Sequence, residues 1–271
     1  MNYRHSFHAG NFADLVKHAL VLWLVAARRA QGPLTVLDTH AGAGLYDLSG
    51  DAARSKEAEA GVARLMRAEG RTPLMEALAD RVAAFNPDGG TRYYPGSPLL
   101  IAETLSQGGR YVGFELNPPV RAMLAEALAG RANAEAREGD GYDLAIVEAA
   151  RARGPLVLID PPFEKPDDYI RSAETAVAIV RRDPSATVAI WTPLKDMETF
   201  DAFIRKLQGR AGPTLVAEAR LRPLTNPMKM NGCAMVVVNP LAGAETAARE
   251  VCGWVANALG EAGGKAEVWT F

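Results

Sequence analysis

Asp160-Pro161-Pro162-Phe163 follows the apolar run Pro155-Leu156-Val157-Leu158-Ile159. The run is short and branched, with Gly154 in front and two prolines behind. That layout predicts a buried strand in the middle of a parallel sheet. Ligands of open α/β sheets sit at the carboxyl ends of such strands. A carboxylate, two stiff prolines and an aromatic ring at that place suit a flat ring bearing an exocyclic amino group. Such a nitrogen is conjugated with its ring and is a poor nucleophile. Acceptors for both of its N–H groups let the lone pair turn toward an electrophile. Asp160 offers one acceptor and the Pro161 carbonyl the other, since proline keeps its C=O while lacking an N–H. The fixed proline φ steadies that carbonyl. Phe163 is expected to stack on the ring face, a contact worth roughly 1–3 kcal/mol per base. An ordinary Asp-Pro turn is the alternative reading of the same residues.

A second group of residues bears on the electrophile. Leu34-Thr35-Val36-Leu37 reads as a strand ending on Asp38, and Thr39-His40-Ala41-Gly42-Ala43-Gly44 follows it. Gly42 and Gly44 permit a tight turn and close approach of a ligand to the backbone. Asp47 stands where a G-x-G-x-x-G fingerprint has its third glycine, and no Lys-Ser/Thr follows, which excludes a P-loop. Glu115 ends the strand over 111–114, where an acid can take both hydroxyls of a ribose. Asp140-Gly141 follows a weak strand over 134–137 and can meet an adenine edge. Any one of these acids alone is an ordinary helix N-cap candidate. Asp38, Glu115, Asp140 and Asp160, at or just after successive strands, are instead expected to crowd one rim of the sheet. S-adenosylmethionine carries ribose, adenine and a sulfonium cation, and no phosphate. An acidic rim without a phosphate cradle suits it better than NAD.

The elements that must position these residues alternate. A helical stripe of Leu15, Ala19, Leu22 and Ala26 predicts a helix over 11–30, closed by Gly32-Pro33. Residues 51–86 are Ala-rich, charged and helical in pattern, with breaks near Gly70 and Thr72-Pro73. They read as a helical insertion within one domain spanning 1–271, since no Ser/Gly linker flanks them. Tyr93 to Pro98 reads as a loop. Helices are expected over 99–107, 118–130, 142–152, 168–182, 196–208 and 245–259, with further strands over 187–191, 214–220 and 234–238. Alternating strands and helices predict a parallel sheet wound on both faces. The loop from Arg222 to Gly232 carries no helix and suits a hairpin, so one strand near the end should run antiparallel. That is the arrangement of class I methyltransferases.

At 271 residues with 48% hydrophobic content, the chain can bury a sizeable core. No apolar run reaches the ~18 residues of a membrane span, and the start has no signal-peptide layout. Cys233 and Cys252 are too few for a disulfide framework or a zinc cluster and read as small core residues. A cytoplasmic protein, with no membrane partner, is expected. The net charge of −2 argues against non-specific coating of nucleic acid and leaves room for a local basic patch. All four histidines fall in the first 40 residues. A metal site built from His5, His8 and His18 is disfavoured, because no matching Cys or second His pair exists elsewhere.

The opening Tyr3-Arg-His-Ser-Phe-His-Ala-Gly-Asn-Phe-Ala-Asp-Leu-Val-Lys-His18 closely resembles that of the RlmJ family, the 23S ribosomal RNA adenine-N6 methyltransferases. The likeness continues through Leu37–Gly44, Arg92–Pro98, Gly139–Gly141 and Ile159–Phe163, in the same order over essentially the whole chain. The resemblance implies a class I S-adenosylmethionine-dependent fold and methyl transfer to an adenine N6 in 23S rRNA. It implies Asp160 as the catalytic carboxylate. His18, His40, Ser97, Glu115, Asp140 and Gly141 would bind the cofactor beside Gly42, with Asp160 near its methyl end and Lys17 helping to order it. Tyr3 and His5 would lie near the target base, with Tyr3 as a gate and Arg4 beside them. The family usually has Tyr where this chain has Phe163, and guanine-N2 rRNA methyltransferases share Asp-Pro-Pro-Phe. Arg28, Arg29, Arg222 and Lys229 are candidates for phosphate contacts or, equally, for a solvated surface. The expected substrate is naked RNA or an early assembly intermediate, handled by a monomer without an obligatory protein partner. The alternatives are a guanine-N2 or DNA adenine methyltransferase and a non-catalytic RNA-binding scaffold, with a nicotinamide-dependent oxidoreductase a distant third.

Overall fold

The protein is described by a computed structural model that covers residues 8–49, 56–105, 108–165, 167–226 and 229–271. The first half of the chain forms α1 (Phe12–Arg29), β1 (Leu34–Asp38), β2 (Leu45–Asp47), α2 (Glu57–Ala60), α3 (Val62–Arg67), α4 (Pro73–Ala84), β3 (Tyr93–Pro95), α5 (Ser97–Leu105), β4 (Gly109–Glu115) and α6 (Pro118–Ala127). The second half forms β5 (Ala134–Glu138), α7 (Gly141–Ala149), β6 (Leu156–Ile159), α8 (Asp168–Arg182), β7 (Thr187–Leu194), α9 (Met197–Leu207), β8 (Thr214–Arg220), β9 (Gly232–Val238), α10 (Ala244–Leu259) and β10 (Lys265–Thr270).

Eight strands make one sheet in the order β10-β8-β9-β7-β6-β1-β4-β5. The run from β5 through β4, β1 and β6 to β7 is parallel, as expected of connections that cross over through helices. β9 lies antiparallel between β7 and β8, and the loop between β8 and β9 closes a hairpin. Alternate residues of the central strands feed two cores. Val36, Leu156 and Leu158 join α1, α4, α5 and α10 on one face. Leu37, Val157 and Ile159 join α7, α8 and α9 on the other. Burial of both faces is why these strands read as unbroken apolar runs. Cys233 and Cys252 are buried and free. Among the described residues, no helix is long and apolar enough to cross a membrane.

Two pairings depart from the expectation. Tyr93–Pro95 is not a loop: it pairs with Leu45–Asp47 in a separate two-stranded ribbon. The sheet also carries a second reversed strand, since β10 adds antiparallel to β8 at the edge. Within Lys265–Thr270 only Val268 is buried, and the polar–apolar alternation runs for just four residues, Lys265 to Val268, before Trp269 breaks it. The described part of the expected insertion holds α2, α3 and α4, with its break at the Thr72 cap before Pro73. Met75, Leu78 and Val82 of α4 belong to the same core as α1 and the sheet.

Candidate functional site

The sheet puts the four acids on one edge. β1 lies between β4 and β6, with Asp38 opposite Gly113 and Leu158. Asp160 therefore stands two residues beyond the strand partner of Asp38. Glu115 pairs in register with Glu138, which places Asp140 two residues further on. The turn after β1 is tied to both neighbours: Thr39 N–H donates to the Leu158 carbonyl and Ala41 N–H to the Phe114 carbonyl, each at 3.0 Å.

Each acid has its own surroundings. Asp38 is fully buried and accepts from Ser97 Oγ at 2.7 Å and Tyr111 OH at 3.1 Å. Burial lifts its pKa from 3.8 to about 6, with the Asp160 charge adding to the rise and the two hydroxyls opposing it. Glu115 accepts from Gly42 N–H at 3.1 Å and Asn117 N–H at 2.8 Å, which clasps the glycine turn against β4. Gly42 adopts φ +67 and Gly44 φ +81, the left-handed region that favours glycine. Asp140 caps α7 through Tyr142 N–H and pairs with Arg171 at 2.9 Å. The Arg171 guanidinium lies 4.3 Å from the Tyr142 ring centroid, and His40 meets the same ring edge-on at 4.7 Å. A Cβ on Gly141 would lie 1.9 Å from the Thr39 carbonyl oxygen, so only glycine permits this closeness.

Asp160 faces α1. Asn11 caps that helix and starts it at the sheet edge, so the first turns present Asp14, Lys17 and His18 to the end of β6. Lys17 Nζ lies 2.6 Å from Asp160 Oδ2 and 2.8 Å from Asp14 Oδ1, and all three side chains are nearly buried. Burial alone would push the ammonium toward neutrality. The charges of Asp14 and Asp160 outweigh it and hold the Lys17 pKa well above the ordinary lysine value. His18 Nδ1 is 2.7 Å from the buried Tyr94 hydroxyl. Lys17, His18, His40, Ser97 and Asp160 line one recess with Asp14, Ala41, Tyr46 and Gly96. Side chains from α1, the turn after β1, α5 and the end of β6 thus converge.

The remaining sequence-derived candidates are distributed differently. Tyr3, Arg4 and His5 lie outside the described residues. Pro161 is buried beside Asp160. Phe163 adopts φ +50 and is 9% exposed, its ring packed 4.6 Å from Tyr169 and 5.8 Å from Trp191. Arg28 sits at the far end of α1, about 16 Å along the axis from Lys17 at ~1.5 Å per residue. It donates to the Gly154 carbonyl, at the entry to β6, while Arg29 donates to the Leu105 carbonyl. Both lie toward the opposite end of the sheet from Asp160. Arg222 pairs with Glu261 at 2.7 Å, and Lys229 is exposed in the hairpin loop. His8 bonds to Glu57, and no group among the described residues is arranged to hold a metal ion. Sequence reasoning did not single out Asp14, Tyr94, Arg171 or Glu57. Only Asp14 carried a readable signal, its i,i+3 spacing to Lys17 on a helix.

Comparison with known proteins follows the same outline. The model of the family described as "Ribosomal RNA large subunit methyltransferase D, RlmJ" matches residues 31–271. The chain is 31% identical over 268 residues to "Ribosomal RNA large subunit methyltransferase J" of Escherichia coli K12, covering 97% of this chain and 95% of the relative. It is 32% identical to the Haemophilus influenzae protein of the same description, covering 96% and 94%. The crystal structure of protein LPL1258 from Legionella pneumophila superposes with a TM-score of 0.86 at 23% identity, over 97% of this chain and 98% of that one, which shows the shared fold.

Proposed function

Since the chain belongs to the RlmJ family of ribosomal RNA large subunit methyltransferases, we propose that it transfers a methyl group from S-adenosylmethionine to the N6 amino group of one adenine in 23S rRNA. The observation that carries this reading is the Asp160 carboxylate, held by Lys17 at 2.6 Å where β6 ends and the double proline begins. It lies in the recess shared with His18, His40 and Ser97.

The edge residues fit the cofactor. Glu115 has carboxylate lone pairs beyond those engaged by two backbone N–H groups and suits ribose hydroxyls. Asp140 and Gly141 suit an adenine edge, and the missing Cβ at Gly141 leaves that backbone close to the turn of Thr39. His18, His40, Ser97 and Lys17 shape the end nearest Asp160. When bound, S-adenosylmethionine supplies an electrophilic methyl on a positively charged sulfur.

The chain's own work is alignment and charge. Asp160 accepts one N6–H of the target adenine and the Pro161 carbonyl accepts the other, which turns the nitrogen lone pair toward the methyl. As the N–C bond forms and the methyl's bond to sulfur breaks, leaving a neutral thioether, the amino nitrogen becomes positive, and Asp160 stabilises that charge while a proton leaves to it or to water. Such alignment is worth roughly 7–11 kcal/mol in favourable cases. The reading includes Phe163, Tyr3, Arg4 and His5 on the base side. It also includes action as a monomer in the cytoplasm on naked RNA or an early assembly intermediate. A base inside a finished subunit could not be unstacked into so enclosed a recess.

The test is incubation with methyl-labelled cofactor and unmodified 23S rRNA, followed by nucleoside mass analysis. Labelled N6-methyladenosine at one position is expected, with little label on assembled large subunits or duplex DNA. Label in N2-methylguanosine, or none at all, would overturn the assignment.

A further inference from the structure

The polar chain that reaches Asp160 begins outside α1. Asn11 caps that helix with Oδ1, which accepts from Ala13 N–H at 2.9 Å and Asp14 N–H at 3.0 Å. Its amide nitrogen is thereby turned away from the helix and donates to Glu57 Oε2 at 3.0 Å. The other Glu57 oxygen meets His8 Nδ1 at 2.9 Å. One carboxylate at the start of α2 therefore grips both ends of the turn His8–Asn11.

Backbone contacts reinforce the grip. Val62 N–H donates to the Gly10 carbonyl at 2.8 Å. Gly10 adopts φ +78, and a Cβ on Gly61 would lie 2.2 Å from the Gly10 carbonyl oxygen. From this turn the bonds run inward. Gly10 N–H donates to Asp14 Oδ2 at 2.8 Å, Asp14 Oδ1 pairs with Lys17 Nζ at 2.8 Å, and Lys17 Nζ pairs with Asp160 Oδ2 at 2.6 Å.

We propose that Glu57 is a positioning residue for the reaction at Asp160, acting through the turn His8–Asn11, Asp14 and Lys17. Glu57 fixes the turn, and the Gly10 N–H of that turn fixes one oxygen of Asp14. The other oxygen then shares the Lys17 ammonium with Asp160. Without that sharing, the ammonium closes on Asp160 alone and occupies the acceptor that the substrate amino group needs. The helices of 57–84 thereby gain a role in catalysis without touching substrate. The inference rests on the function proposed above for its kinetic part only.

The experiment combines kinetics and hydrogen exchange on the full chain. Glu57→Ala should lower kcat about 10-fold or more, since it removes two hydrogen bonds to a charged group, with little change in KM for RNA. In an Asp14→Ala background the same substitution should change kcat by less than about 2-fold, because the two residues act in series. Glu57→Gln keeps one acceptor oxygen and should fall between wild type and Glu57→Ala. Exchange at the Gly10 and Asp14 amides should speed up in both Glu57 variants. Unchanged kcat, or an equal loss in both backgrounds, overturns the proposal. Faster exchange supports the positioning chain even where wild-type protein is inactive on rRNA, and unchanged exchange sinks it whatever the substrate is.

Discussion

Replacing Asp38 by Asn should remove a specific part of the pH dependence of folding. Asp38 is fully buried, and its Oδ2 takes both available hydroxyls, from Ser97 and Tyr111. Burial and the neighbouring Asp160 charge raise its pKa to about 6 from an ordinary 3.8, against the pull of those hydroxyls and of Lys17. The folded protein thus holds this proton more tightly than the unfolded chain does. The stability it contributes is fully present below the unfolded pKa, is lost as pH rises from about 4 through about 6, and stays lost above. At ~1.36 kcal/mol per pH unit, the rise to about 6 corresponds to ~3 kcal/mol. The assay is urea unfolding of wild type and Asp38→Asn in steps from about pH 4.5 to 7.5, taking the difference between them so that other titrations cancel. About 2 kcal/mol of this falls between pH 4.5 and 7.5, so with an m-value of ~3 kcal/mol/M the wild-type midpoint should lose ~0.6 M relative to the variant across that range. A difference that stays flat with pH would refute the reasoning. It would mean that the two hydroxyl donors fully offset burial of the charge.

Three further outcomes are expected. Asp160→Asn preserves shape but loses the charge, so single-turnover methyl transfer at saturating cofactor should slow at least ~10²-fold; full turnover in a folded variant would defeat its assignment. Gly141→Ala drives a Cβ into the Thr39 carbonyl, and thermal unfolding should show a loss on the order of 1–3 kcal/mol, together with weaker cofactor binding; a variant as stable as wild type would show that the turn has room. The hydrogen bond that His8 Nδ1–H donates to the Glu57 carboxylate raises the pKa of His8 above 6.5, so the pair stabilises the fold below that value and the benefit fades as pH climbs through the raised one. An NMR titration should find the His8 midpoint above 6.5 and lower in Glu57→Gln, and equal midpoints would show that the contact does not persist in solution.

The sequence exposed the sheet wherever strands are buried on both faces. The runs ending at Asp38, Glu115 and Asp160 are short, apolar and followed by turn residues, and all three proved to be parallel neighbours. β10 was missed because its alternation, Lys265 to Val268, lasts only four residues before Trp269 breaks the period. β3 was read as a loop because Tyr93-Tyr94-Pro95 pairs only with a distant three-residue partner. The site divides in the same way. Acids at strand ends follow from local pattern plus the rule for where α/β sheets bind ligands. Lys17, His18, His40 and Ser97 came only from family resemblance, since nothing near them in sequence shows what they face. Tyr94 and Glu57 bond to partners brought close by packing of helices against the sheet edge, which local periodicity does not encode.

The buried charges explain why a single lysine stands among several acids. Lys17 and Asp160 alone would form a neutral pair and offer a sulfonium cation little attraction. Asp14 changes that balance: it shares the ammonium at 2.8 Å and leaves the group Asp14–Lys17–Asp160 with one net negative charge. Asp38, hydrogen-bonded to the recess residue Ser97, adds a second negative charge only above about pH 6. At low effective dielectric such a charge acts strongly on a cation held in the same recess. The ionised Asp38 that costs folding stability near neutral pH therefore favours binding of a positively charged cofactor there. On the proposed reaction, cofactor affinity measured by calorimetry should strengthen as pH rises through about 6, in the direction opposite to stability. The Asp38→Asn variant should lose both trends together, because one proton controls them. A variant that lost only the stability trend would separate Asp38 from the cofactor and leave Asp14 and Asp160 as the acids that hold the sulfonium.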